Sequence, residues 1–197
     1  MNAEAAEKKV WTPEEYLAWE RSAPEKHEFL EGEVFAMAGA KRRHNLLVGN
    51  VVGELREALR RRRCEVYPSD MRVRVPATGL YTYADALVVC DAPLFEDAEE
   101  DTLLNPTVLV EVLSKSTASY DRGEKFENYR TIPSFKEYVL VSQQKVLIEH
   151  FVRQADDSWL MRERRAGERL DLASIRCSIA VDEIYLKVFE VAANDDA

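Results

Sequence analysis

Three cysteines in 197 residues, Cys64, Cys90 and Cys177, are odd in number and widely spaced. They form neither a disulfide framework nor a CxxC zinc or redox motif, and the expectation is a reducing, cytoplasmic setting. No cysteine stands near a histidine in a nucleophile-and-base arrangement, which sets cysteine catalysis aside. With seven Gly and seven Pro there is no flexible or proline-rich linker, no low-complexity tract and no internal repeat. No apolar run reaches the roughly 18–20 residues that a bilayer span needs, and the N-terminus lacks the apolar core of a secretion signal. A soluble protein without a membrane partner is expected.

What remains is a chain that is 46% hydrophobic and long enough to bury a substantial core. We expect one domain over residues 10–190, with flexible tails at 1–9 and 191–197. "TPEEYLAWE" carries Thr12, Pro13 and Glu15 in the order of a capped helix start. "KHEFLEGEVFAMAG" alternates about Gly32 and predicts a hairpin, with Phe29 and Glu31 on one side. Leu47, Val48, Val51, Val52, Leu55 and Leu59 recur at helical spacing and predict a long helix over 43–62. Strands follow at "CEVYPSD", "MRVRVPA", "ADALVVCD" and "TVLVEVLS", then a helix over 118–130 ended by Ile132-Pro133. "EYVLVS" and "KVLIEHFVRQ", joined by a tight turn at Gln143-Gln144, and "SWLMRERRA" complete the strands, and "DEIY" gives a short last helix. The order predicts an α/β fold with a central mixed β-sheet flanked by helices. The helix after "TVLVEVLS" is the crossover of a parallel strand pair.

Two of the apolar strands each contain one acid. Asp85 shares a period-two face with Leu87 and Val89, and Glu111 shares one with Leu109 and Leu113. A buried carboxylate needs a partner, and two side by side will not both ionise without a cation. Oxygen donors favour Mg²⁺ or Mn²⁺. On the helix that follows, Asp121, Lys125, Asn128 and Tyr129 fall at i, i+4, i+7 and i+8 and so share a face. The bland alternative makes Asp85 a turn cap and pairs Glu111 with Arg72 or Arg74.

Net charge is −9, which argues against indiscriminate nucleic-acid binding, but the charge is uneven. Between Lys41 and Arg74 ten basic residues face four acidic ones. Either this is a solvated helix face, or it is a phosphate-facing patch that includes Lys41, Arg42, Arg43, Arg72 and Arg74.

"YADALVV", "EVLSKST", "YDRGEKFENY" and "EYVLVS", together with "EFLEGEVFAMAG" and "RHN", resemble the bacterial Uma family of "putative restriction endonucleases" in the PD-(D/E)xK nuclease superfamily. The similarity runs from about Trp11 to Tyr185. It implies a restriction endonuclease-like fold and a metal-dependent DNA endonuclease, with Asp85 and Glu111 as ligands of Mg²⁺ (or Mn²⁺). Leu113 stands where the superfamily motif has its lysine, and the resemblance moves that role to Lys125 on the next helix. Ala84 replaces the proline before the motif aspartate. Glu31 and His44 match polar positions that accompany the site, while Asn128 and Tyr129 would support it. The rival reading is a nuclease-like domain that binds DNA or a protein without cleaving, its Glu111–Lys125 pair purely structural. The free edge of the late strands allows a homodimer.

Overall fold

The computed structural model describes residues 9–190. The tails expected at residues 1–8 and 191–197 lie outside the described residues; Lys9, counted with them, rests its ammonium 3.4 Å from the Trp11 ring centroid. Helix α1 (Pro13–Glu20) starts as predicted, with Thr12 and Glu15 each bonding the other's backbone N–H. Strands β1 (His27–Leu30) and β2 (Glu33–Ala36) form the expected hairpin. Its two-residue turn, Glu31-Gly32, has φ values of 50° and 83°, the double positive value that matches the twist of the flanking strands.

Helix α2 (Arg42–Leu59) buries Leu47, Val51, Leu55 and Leu59 as one stripe. After it come β3 (Glu65–Pro68), β4 (Arg72–Val75), β5 (Leu80–Tyr83), β6 (Ala86–Val89), the two-residue β7 (Thr102–Leu103) and β8 (Val108–Leu113). The helix expected over 118–130 is two helices, α3 (Ala118–Arg122) and α4 (Glu124–Tyr129), parted at Gly123 with φ −105° and ψ −105°. Then follow β9 (Glu137–Ser142), β10 (Ile148–Arg153), β11 (Trp159–Arg164), β12 (Arg169–Leu172), β13 (Cys177–Ala180) and α5 (Val181–Ile184). The turn between β9 and β10 is wider than predicted, because Ser142 pairs with Leu147 and leaves residues 143–146 as the loop. Strands β5 and β7 and the β12–β13 hairpin were not expected from the sequence, although Pro76 and Gly79 before β5 and Gly167 before β12 mark turns there.

The fold is mixed α/β. A six-stranded sheet runs β11-β10-β9-β8-β6-β3, and a five-stranded sheet runs β2-β1-β5-β4-β7. Strand β8 pairs antiparallel with β6 and parallel with β9, and α3 and α4 make the crossover between the parallel strands, as predicted. Both faces of β8 are covered, which explains its nearly unbroken apolar sequence. Val108, Val110 and Val112 pack with the α2 stripe, whereas Leu109 and Leu113 pack with Phe126, Tyr129 and residues of β4 and β5. Glu111, in phase with those leucines, therefore points away from α2 and toward α4.

The described residues include no helix long and apolar enough to cross a membrane. The cysteine expectation needs correction, because Cys64 and Cys90 form a disulfide. The β3–β6 register pairs Glu65 with Val89, so the residues one step beyond stand face to face although 26 positions separate them. Parity of the cysteine count therefore no longer argues for a reducing compartment.

Candidate active site

The chain crosses between the two sheets directly at the β5–β6 corner. Strand β5 ends at Tyr83 in the five-stranded sheet, β6 begins at Ala86 in the six-stranded one, and Asp85 lies on the bend between them. Continuing the β6–β8 register by one step sets Asp85 across from Glu111. The Asp85 carboxylate is held from two sides. Its Oδ2 accepts the Val112 N–H at 2.7 Å, and its Oδ1 lies 2.9 Å from Nε2 of His44, in the first turn of α2.

Glu111 is 4% exposed and Lys125, on α4, is 3% exposed. The Lys125 ammonium lies 3.0 Å from Glu111 Oε1 and 3.4 Å from Glu28 Oε1, and it donates to the Tyr83 carbonyl at 3.0 Å. The Tyr129 hydroxyl donates to the same Glu111 oxygen at 3.1 Å. Glu28, on β1, also accepts from the hydroxyls of Thr82 and Tyr120. Three backbone elements thus converge on one ammonium. The bland pairing of Glu111 with Arg72 or Arg74 does not occur.

Charge is unbalanced in this group. Burial raises the Glu111 carboxyl well above its usual range; Lys125 pulls the other way, and Asp85 and Asp121 add to the rise. Asp121 is raised as well, first by burial and then, against the opposing pull of Lys125 and Thr117, by Asp85 and Glu28. Burial disfavours the charged form of Lys125, but Glu111 and Glu28 more than restore it, so the side chain stays an ammonium. His44 behaves alike: burial opposes its protonation, but the hydrogen bond and charge of Asp85, with Val112 and Asp121, together outweigh it and raise its pKa.

Glu28, His44, Tyr83, Asp85, Glu111, Tyr120, Asp121 and Lys125 line one open cavity of about 680 Å³. Asp85 and Glu111 offer hard oxygen donors to it, whereas no three His, Cys, Asp or Glu side chains among the described residues converge closely enough to enclose an ion. Such a donor set fits Mg²⁺, which keeps several waters and takes one or two carboxylates plus a phosphate. It does not fit an all-protein zinc site.

The model of a family described as "Uma2: Putative restriction endonuclease" matches residues 13–182. The chain belongs to the Uma2 family. Two uncharacterized proteins of Synechocystis sp. are similar to this Uma2 chain: one is 39% identical over 155 residues, covering 79% of this chain and 88% of the relative. The other is 38% identical over 175 residues, covering 88% and 90%. A crystal structure titled as a putative nuclease belonging to DUF820, from Anabaena variabilis, superposes with a TM-score of 0.70 over 89% of this chain and 97% of that one. At 12% identity that likeness speaks to the fold, which is the restriction endonuclease-like arrangement expected from the sequence.

Several expected residues of the Uma2 site are elsewhere. Glu31 is exposed in the β1–β2 turn, since β1 stops at Leu30, and Glu28 is the acid that the hairpin delivers. Asn128 turns outward and donates to the Glu124 carbonyl, although it shares α4 with Lys125; Tyr129, four residues after Lys125, is the one that reaches Glu111. Asp121 does reach the cavity, and so do Lys41 and Arg43 at its mouth. Arg42 instead holds the segment after α5, donating to the carbonyls of Lys187, Val188 and Glu190. Arg72, 4% exposed, bonds Tyr83 and Thr102, and Arg74 pairs with Glu96. Neither arginine is placed to meet a phosphate. The sequence reading missed Glu28, Tyr120 and Lys115, all of which line the cavity. Only Glu28 carried a signal: an acid in phase with Leu30 in a short strand, the same anomaly that marks Asp85 and Glu111.

Proposed function

We propose that this chain is a metal-dependent nuclease that hydrolyses phosphodiester bonds of DNA. The observation that carries the reading is the opening of Asp85 and Glu111 into one cavity beside a buried ammonium, under a rim of opposite sign. Glu28, Asp85, Glu111 and Asp121 line the interior, and Lys41, Arg43 and Lys115 are exposed around the mouth. Helix α2 opens with Lys41, Arg42 and Arg43 and has no acid in its first turn, the reverse of what the helix dipole favours. Two of these cations, Lys41 and Arg43, stand at the cavity mouth on the positive end of the helix, which makes sense where a polyanion docks. The acids within suit a divalent cation rather than the phosphate itself.

A divalent ion bound by Asp85 and Glu111 would supply an acidified water and neutralise the scissile phosphate. The protein's own part is orientation. The Val112 N–H and His44 fix the Asp85 carboxylate, and Lys125 with Tyr129 fixes Glu111. Lys125 remains charged, so it serves as a fixed positive charge for the phosphorane-like transition state and not as a proton acceptor. His44, already bonded to Asp85, acts on that acid rather than on the substrate.

A Lys125–Glu111 pair alone would equally suit a nuclease-like domain that binds without cutting. Asp85 and Asp121 distinguish the two readings, because a structural pair gives no reason to gather further acids around it. The test is nicking and linearisation of supercoiled plasmid with Mg²⁺ or Mn²⁺. Cleavage by the unaltered protein that is lost in both Asp85→Asn and Glu111→Gln is expected. Absence of cleavage with either ion, or its persistence in Glu111→Gln, overturns the reading.

A further inference from the structure

The far end of α2 carries a second basic feature that the cavity does not absorb. Arg56, Arg60, Arg61, Arg62 and Arg63 fall within eight positions whose only acid is Glu57, and all five are exposed. Among the described residues Arg56, Arg61 and Arg63 enter no ion pair. Arg60 shares Glu57 in a pair exposed on both sides, and Arg62 donates to the Ile175 carbonyl at 3.1 Å. Such exposed pairing neutralises little. The surface there is concave: a hollow of about 480 Å³ is lined by Arg56, Arg60, Arg62 and Tyr67 and by one acid, Glu65, which accepts from the Tyr67 hydroxyl. In a chain of net charge −9, a local excess of this kind attracts anions selectively.

From the nucleic-acid reading of the cavity, on which this step rests, we infer that the arginine hollow is a second contact for the phosphate backbone of the same DNA duplex. Arg56 and Arg60 ride on the helix that delivers His44 to the cavity, so the spacing between the two places is fixed by a rigid element. His44 and Arg60 are separated by roughly 24 Å at 1.5 Å per residue, which is about seven base pairs at 3.4 Å each. The partner of the hollow is a strand of linked phosphates and not a lone anion. The guanidinium groups spread around an open depression, with no buried polar group among them to enclose one ion. The arginine cluster therefore sets a minimum length for tight binding, and it contributes no chemistry.

The test compares the unaltered protein with the triple variant Arg56→Gln/Arg60→Gln/Arg61→Gln, which leaves Arg62 and its structural bond in place. Binding is measured in chelating buffer, where no strand is cut, against a duplex of about 16 base pairs and a hairpin stem of about six, which at 3.4 Å per pair is too short to bridge both places. On the long duplex the slope of log K against log salt should fall by about 0.9 for each lost phosphate contact, or about 2 to 3 in all. Low-salt affinity should drop by about 10- to 100-fold, with no change on the short stem. The Lys variants at the same three positions should restore the slope. An unchanged slope on the long duplex, or an equal loss on both DNAs, overturns the inference while leaving the nuclease reading intact. Failure of the unaltered protein to bind either DNA overturns both. A melting temperature for the triple variant equal to that of the parent confirms that the comparison is between folded proteins.

Discussion

Replacing Lys125 by Met probes the centre of the site through stability alone. Methionine preserves most of the stem's volume, so packing changes little. What disappears is the ammonium at 3.0 Å from Glu111 and 3.4 Å from Glu28. Stripping the cation from a buried pair costs about 3–5 kcal/mol, since the acid left behind is desolvated and uncompensated. For a chain of this size each kcal/mol moves the melting temperature by about 2–4 °C, which gives a fall of roughly 6–20 °C. Glu111→Gln should behave differently. Its carboxyl is already pushed up by burial and by Asp85 and Asp121, against the pull of Lys125, so the fold resists its charge. Lys125 would keep Glu28 and the Tyr83 carbonyl. The amide should therefore leave stability within about 1 kcal/mol of the parent, or raise it, while cleavage is lost. Divalent metal adds the third arm: at 100 times its Kd it should stabilise the parent by about 2.7 kcal/mol, and should do nothing for Glu111→Gln. Thermal melts with and without Mn²⁺ read all three. Lys125→Met melting within about 2 °C of the parent, or Glu111→Gln falling as far as Lys125→Met, refutes the account of the charge balance.

Three further outcomes are expected. His44→Ala frees Asp85 Oδ1 from its ring partner and should weaken Mn²⁺ binding by about 10- to 100-fold, as loss of a ligand-orienting partner does; calorimetric titration gives the number. In unreduced, denatured protein, thiol titration should find Cys177 and not Cys64 or Cys90, and reduction should remove about 3.5 kcal/mol of stability by loop entropy over the 26-residue separation. Arg21 bonds Asp101 and Asp97 across 80 and 76 positions and holds the Asp101 carboxyl below its ordinary 3.8, with burial opposing. A depressed carboxyl stabilises fully above that ordinary value and loses its contribution as pH falls through the lower folded one. The melting gap between parent and Arg21→Ala should thus be widest near neutrality and close in strong acid; a gap independent of pH contradicts the pairing.

Much of the site could be read from the sequence because anomalies in a regular pattern are local. Glu111 interrupts an apolar strand and Asp85 the bend that leads into another, and the period-two phase of the neighbouring leucines is intact in the structure. Lys125 and Asp121 were legible from helical spacing and reach the cavity although Gly123 parts their helices, whereas Asn128 is drawn to the Glu124 carbonyl, a local bond that spacing does not foresee. The alternation in "MRVRVPA" correctly predicts β4, yet it cannot show that Arg72 and Arg74 are occupied by Tyr83, Thr102 and Glu96, which come from other segments. Glu31 failed for a one-step reason. A hairpin whose turn takes Glu31-Gly32 ends the strand at Leu30, and the acid that points inward is three positions earlier. Pairings such as Cys64 with Cys90 depend on which strands neighbour each other, and that is decided by sheet order.

The site draws on β1 for Glu28, α2 for His44, the β5–β6 corner for Asp85, β8 for Glu111 and α4 for Lys125. Between Glu28 and Lys125 the chain runs through β5, β6 and β8, so no shorter stretch holds the full set. During synthesis the acids emerge first and the ammonium last. On the proposed function, the site is incomplete until α4 docks, so cleavage would report that segments from β1 to α4 have come together.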